Sequence, residues 1–184
     1  MAFIDAATLT GASGSKVEVV NNAAYVDIRS EWDVAVEDGR AYSFASLTYD
    51  PDAHDTILAV ENNDPDQVLK IKRIIFTSDT ASLIQVYTAS GVTVAGTAAV
   101  VPVPLNRTTG RAALVTAICD ETGNTEQGSS YTTKVLQKQV AENTLVDIDV
   151  DGAIVLPYDH MVGVDLTTAA TGANCTIFGW FAPT

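Results

Sequence analysis

The run Asp147-Ile-Asp-Val-Asp151-Gly152 has the spacing in this 184-residue chain that most suggests a metal. Carboxylates at alternate positions followed by glycine open a calcium loop, where hard oxygen donors converge on the ion and glycine permits the sharp turn. The position that should supply the closing bidentate glutamate is Tyr158, however. Ile148 and Val150 also turn the spacing into a period-two strand with its acids on one face. The reading is a solvated acidic face, with Asp147, Asp149 and Asp151 as the metal candidates. Asp50-Pro-Asp52-Ala-His54-Asp55 gathers carboxylates and an imidazole, but Pro and Asp at this density form a turn, and Asp64-Pro65-Asp66 is read the same way.

Catalytic constellations are short of parts. His54 and His160 are the only histidines, too few for a multi-His metal site. G-x-S-x-G, the P-loop, G-x-G-x-x-G and H-E-x-x-H are all missing. Acids are plentiful enough for a glycosidase pair, but nothing singles one out. The expectation is a protein that is not an enzyme and carries no cofactor. Lys70, Lys72 and Arg73 form the only basic concentration. Strict alternation puts Lys70 and Lys72 on one face of a strand and Leu69, Ile71 and Arg73 on the other. These three cations are read first as a solvated face and second as partners for an acidic neighbouring subunit. Trp32, Trp180, Phe178 and Phe181 could form a sugar-stacking platform, but Phe178 and Trp180 alternate as core residues do, and core packing is the reading.

The elements that must position these residues are strands. Lys16–Val20, Ala24–Arg29 and Trp32–Val36 read as short strands in an acidic lead-in spanning residues 1–40. A regular series follows over 41–184: Tyr42–Tyr49, Thr56–Glu61, Val68–Thr77, Leu83–Ala89, Ala98–Leu105, Ala112–Cys119, Leu145–Val150, Met161–Leu166 and Cys175–Phe181. Turn formers such as Asn62-Asn-Asp-Pro65, Ser90-Gly91, Thr109-Gly110 and Asp151-Gly152 separate them. Tyr131–Glu142 fits helical and strand spacing alike, and Thr132-Thr133 tips it toward strand. Pro102 and Pro104 remove two ladder donors from their run and assign it to a sheet edge. About nine strands at this spacing point to an all-β, two-sheet sandwich preceded by an extended N-terminal arm.

Composition agrees. Hydrophobic residues make up 47% of the chain, enough to bury a core without disulfides. Ten Lys and Arg face 23 Asp and Glu, a net charge of −13, which repels nucleic acid and anionic membranes alike. Residues 1–66 hold 13 acids and 3 bases, net −10, while 67–184 hold 10 acids and 7 bases, net −3. Cys119 and Cys175 lie in apolar runs and read as reduced core thiols. The start Met1-Ala-Phe-Ile-Asp shows neither a positive region nor an apolar core of a signal peptide, so synthesis in a reducing cytoplasm is expected. No apolar run approaches the ~20 residues that span a bilayer, and the sequons Asn106-Arg-Thr108 and Asn174-Cys-Thr176 are read as chance matches.

The order Gly39-Arg-Ala-Tyr42, Asp55-Thr-Ile-Leu-Ala-Val-Glu-Asn62, Val68-Leu-Lys-Ile-Lys-Arg-Ile-Ile-Phe76, Pro104-Leu-Asn-Arg-Thr108 and Thr176-Ile-Phe-Gly-Trp-Phe181 resembles a group of tailed-bacteriophage virion proteins. The resemblance covers residues 40–184 and rests on strand rhythm and short phrases such as Leu105-Asn106-Arg107. It implies a jelly-roll-like subunit of a phage particle: a capsid decoration or cement protein, often homotrimeric, with the major capsid protein or other virion proteins as partners and the capsid surface as its place. It supplies no catalytic residues. On that expectation the arm, with Phe3 and Ile4 at its head, and the cations Lys70, Lys72 and Arg73 are the interaction candidates. A tail-associated receptor- or carbohydrate-binding module is the alternative.

Overall fold

The computed structural model describes residues 16–20, 23–27, 29–48, 50–91, 98–119 and 133–184. Phe3, Ile4 and the rest of the first 15 residues of the expected arm lie outside the described residues. Strands β1 (Lys16–Val20) and β2 (Ala23–Asp27) pair as an antiparallel hairpin.

Residues expected as a third short strand instead form a helix, α1 (Glu31–Glu37). Trp32, Val34 and Val36 alternate as a strand would, but the flanking residues dictate otherwise. Ser30 caps the N-terminus: the Asp33 amide donates to Ser30 Oγ at 3.1 Å, and the Ser30 amide and hydroxyl donate to the Asp33 carboxylate at 3.3 and 2.7 Å. This reciprocal box satisfies amides that the first turn leaves open. Glu31 and Asp33 place negative charge at the positive end of the helix. Trp32, Ala35 and Val36 then share one stripe, which packs on Ala41, Trp180 and Ala182. The helix ends at Gly39, whose φ of 70° suits glycine and whose Cα lies so close to the Thr109 carbonyl that a Cβ there would sit 2.3 Å from its oxygen.

The remaining strands are β3 (Ala41–Ala45), β4 (Thr56–Asn62), β5 (Gln67–Ser78), β6 (Ser82–Ser90), β7 (Ala98–Ala99), β8 (Val103–Pro104), β9 (Val115–Cys119), β10 (Thr133–Val140), β11 (Val146–Leu156), β12 (His160–Leu166) and β13 (Ala173–Pro183). They build two antiparallel sheets, in the orders β11-β5-β13-β3-β8 and β10-β6-β12-β4-β9-β7. First pairs with last throughout: β3 with β13, β4 with β12, β5 with β11, β6 with β10. That is one long hairpin folded over on itself, the jelly-roll winding. Strands β7, β8 and β9 are inserted between β6 and β10 and extend both sheets at the side away from β10 and β11.

The sandwich and its strand character agree with the sequence, including β10, where the strand reading prevails over the helix. The expected single strand Ala98–Leu105 does not form. Its ends join different sheets, and Val100 to Pro102 cross between them with Val100 buried in the core. Both prolines still fall at an edge, where a missing N–H costs no ladder bond.

Between the sheets lie the fully buried Phe44, Ile57, Leu58, Leu69, Ile71, Ile74, Phe76, Ile84 and Leu166. Cys119 and Cys175 belong to this core with no disulfide between them, and burial pushes the Cys175 thiol far above its ordinary range, so it stays protonated and inert. Asn62 ties the fold together at one end. Its side-chain amide donates to the carbonyls of Gln67 at 2.8 Å and Leu156 at 2.9 Å, while its oxygen accepts from the Asp64 amide. The Asp64-Pro65-Asp66 segment is thereby a pinned turn, with Asp64 accepting from the Asp66 amide and from Gln67. Asn62→Ala leaves buried carbonyls without donors, and we expect it to lower unfolding free energy by roughly 2–4 kcal/mol in urea denaturation.

Candidate functional site

Strand β5 carries the basic residues, and its register decides where they point. Arg73 pairs with Phe178 on β13 while Ile71 pairs with the next residue, Gly179, so Lys72 is an extra residue on the β5 side. This bulge turns two successive side chains outward. Leu69 and Ile71 face the core before it, Ile74 and Phe76 after it, and Lys70, Lys72 and Arg73 all lie outside. The expectation that Arg73 shares the face of Leu69 and Ile71 is therefore corrected. The three-residue step from Ile71 to Ile74 was its trace in the sequence.

The neighbouring strand β11 accommodates the bulge with an irregularity of its own. Asp149 pairs with Arg73 and Ile154 with Ile71, so residues 150–153 lie opposite Lys72 alone. Asp151-Gly152, expected as a turn that ends its strand, is instead a kink inside a longer one. Asp151 and Gly152 have φ of 44° and 80°, and the Asp151 amide donates to Asp149 Oδ1 at 3.0 Å. The kink presses Gly152 onto the Trp180 ring, where an added Cβ would meet Cη2 at 2.6 Å.

The bulge and the kink bring the metal candidates and the basic residues together. Arg73 donates from Nε and Nη2 to both oxygens of Asp147, a bidentate pair. Lys72 Nζ lies 2.6 Å from Asp151 and 3.4 Å from Asp149. Asp147, Asp149 and Asp151 thus have side-chain cations as counterions, and a metal would have to displace them. Among the described residues no three His, Cys, Asp or Glu side chains are grouped to hold a metal ion. The Arg73 hydrogen bonds hold the Asp147 carboxyl below its usual range, and the Asp151 carboxylate raises the Lys72 ammonium. Lys70 lies one step away, 2.6 Å from Glu31 of α1 and 5.9 Å from the centre of the Trp180 ring. All three cations therefore bind acids of their own chain.

Beside this network runs a groove of about 550 Å³ between the edge strands β10 and β11, lined by Val135, Leu136, Val150, Ile154 and Val155 among others. Val135 and Val155 are exposed. Sequence reasoning passed over these residues. Their signal is the adjacent apolar pairs Val135-Leu136 and Ile154-Val155, which break the alternation a half-buried edge strand should keep.

No family model, curated protein or solved structure matches the chain.

Two outcomes follow from this geometry. Gly152→Ala combines an unfavourable positive φ with a clash against Trp180, and thermal or urea unfolding should show a loss of roughly 2–4 kcal/mol. Asp147 is held low in the folded state, and so is Asp79, chiefly by the Thr171 hydroxyl. A carboxyl with a lowered folded value contributes its stability above the ordinary carboxylate range, near pH 4, and loses it as pH falls through the folded value. Unfolding free energy should therefore fall below about pH 4, and Asp147→Asn should flatten that slope in denaturation series between roughly pH 6 and pH 3.

Proposed function

We propose that this chain is a non-enzymatic structural subunit of a bacteriophage particle, a decoration or cement protein that binds the head shell and is itself assembled from identical copies. The observation that carries the reading is the exposed apolar groove between β10 and β11, a concave surface of aliphatic side chains on an otherwise acidic jelly roll. Apolar grooves rimmed by polar residues are what contact surfaces between proteins present. That the assembly is a phage particle rests on the resemblance of phrases from Gly39-Arg-Ala-Tyr42 to the closing Gly179-Trp-Phe181 to those of virion proteins.

On this reading the work is mechanical. The subunit adds buried area across boundaries between shell proteins, and a partner that binds only the closed shell raises the free energy of opening it. The first 66 residues, net −10, steer docking toward a basic patch on the shell. The carbohydrate-binding alternative needs exposed aromatic faces, and Trp180 offers none. It is 3% exposed, with Trp32 edge-on at 5.7 Å and Gly152 against its ring.

The test is reconstitution. Phage shells bearing this protein should withstand higher temperature and pressure than bare shells, and binding should weaken as salt rises. Equal resistance with and without it would overturn the cement role.

A further inference from the structure

The crossover from β7 to β8 and the loop that follows it form a strap along the edge of the five-stranded sheet. Exposure alternates along it. Val101, Val103 and Leu105 are 75%, 39% and 36% exposed, Arg107 continues the outward row, and Pro102, Pro104 and Asn106 between them are half-buried. Three aliphatic side chains and a guanidinium thus stand in one row on the surface, with Arg111 exposed just beyond it.

The charge of the strap runs against the rest of the molecule. Residues 98–119 contain Arg107 and Arg111 and no acid, in a chain with 23 Asp and Glu and a net charge of −13. Arg40, Lys70, Lys72 and Arg73 all bind carboxylates of their own chain, whereas Arg107 and Arg111 make no ion pair among the described residues. Cations left open in so acidic a chain complement carboxylates brought by another molecule.

The backbone that carries them is fixed. The Leu105 amide donates to the Ala41 carbonyl at 2.9 Å, and the Tyr42 hydroxyl donates to the Arg111 carbonyl at 2.8 Å. Between these points Asn106 Nδ2 and the Thr109 hydroxyl both donate to the Glu37 carbonyl at 3.0 Å. Gly110 packs so closely that an added Cβ would lie 2.5 Å from Pro104 Cβ and 2.7 Å from the Asn106 carbonyl oxygen. A surface held in place this way loses little entropy on binding. Pro102 and Pro104 lack amides, which keeps the edge from extending the sheet and leaves the contact to side chains.

A second copy does not complement this strap. An isologous contact would bring the arginines of two copies toward each other. The aliphatic groove beside β10 and β11 has Lys134 and Lys138 on β10, and its β11 carboxylates are already held by Lys72 and Arg73. Nucleic acid is repelled by the net charge and would leave the aliphatic row unused. We therefore propose that the strap docks a different protein, one that presents carboxylates beside aliphatic side chains. Its apolar groups bury on the row from Val101 to Leu105, and its carboxylates pair with Arg107 and Arg111, a residue type enriched in such contacts. The strap is separate from the acidic first 66 residues that face the shell in the proposed function, and the inference does not depend on that assignment.

The test is a subtractive selection from a random peptide library on the full chain. Peptides are retained if they bind wild type and discarded if they bind the Arg107→Gln, Arg111→Gln double variant, whose exposed substitutions should leave the melting transition unaltered. Survivors should combine Asp or Glu with Val, Leu or Ile. Titrated into isotope-labelled protein, a survivor should shift the amide resonances of residues 101–111. Val101→Ser with Leu105→Ser, which keeps both arginines, should weaken that peptide at least tenfold, and added salt should weaken it too. No survivors, survivors without acids, shifts centred elsewhere, or full binding by the serine variant would each overturn the proposal. So would a heparin fragment or single-stranded DNA that binds these residues more tightly than the peptides do. A solution mass that rises with concentration in wild type and not in the arginine variant would assign the strap to a second copy and likewise overturn it.

Discussion

The structure turns on one extra residue in β5. This strand lies between β11 and β13 in the five-stranded sheet, and its apolar residues must face the second sheet along its whole length. Period two would drive Arg73 into the core, where an unpaired guanidinium costs several kcal/mol. The bulge at Lys72 and Arg73 avoids this by moving the inward positions from Leu69 and Ile71 to Ile74 and Phe76. The kink of β11, the fit of Gly152 against Trp180 and the placing of three cations on one outer face all follow from that shift.

The outer face of this sheet is consequently organised by charge and one covered aromatic. Lys70 links β5 to α1 through Glu31 and lies near Trp180, which the Trp32 ring covers from the helix side. Lys72 and Arg73 hold the carboxylates of β11. Such exposed pairs are individually weak, but together they fix the position of a strand that is an edge of its sheet among the described residues. A chain with far more acids than bases places its basic side chains where acids would otherwise repel one another, and leaves Arg107 and Arg111 without acidic partners among the described residues.

Jelly-roll winding buries the inner faces of both sheets and leaves two lateral openings. Here one is crossed by the strap from β7 to β8 and the other remains a groove beside β10 and β11. Edge strands are a hazard because unpaired amides and carbonyls recruit further strands. Prolines on one side and irregular register on the other remove that hazard and leave aliphatic side chains exposed at both openings.

Much of the fold was legible in local sequence. Alternation located β4, β5, β6, β12 and β13 nearly to their ends, Thr132-Thr133 favoured β10 as a strand, and the prolines assigned an edge. Helix α1 was missed because Trp32, Val34 and Val36 satisfy period two, although Ser30 and Asp33 already spelled a capping box. For the candidate site, the sequence by itself determined which residues carry charge, that Asp147, Asp149 and Asp151 share a strand, and that the chain has a β core. Only the tertiary structure decided that Arg73 faces outward, that Asp151-Gly152 continues its strand and that Val135 and Val155 line one groove. The reason is physical. Periodicity and turn chemistry are set by neighbours along the chain, whereas bulges, register and the meeting of two edges are set by strands far apart in sequence that must bury their apolar faces together.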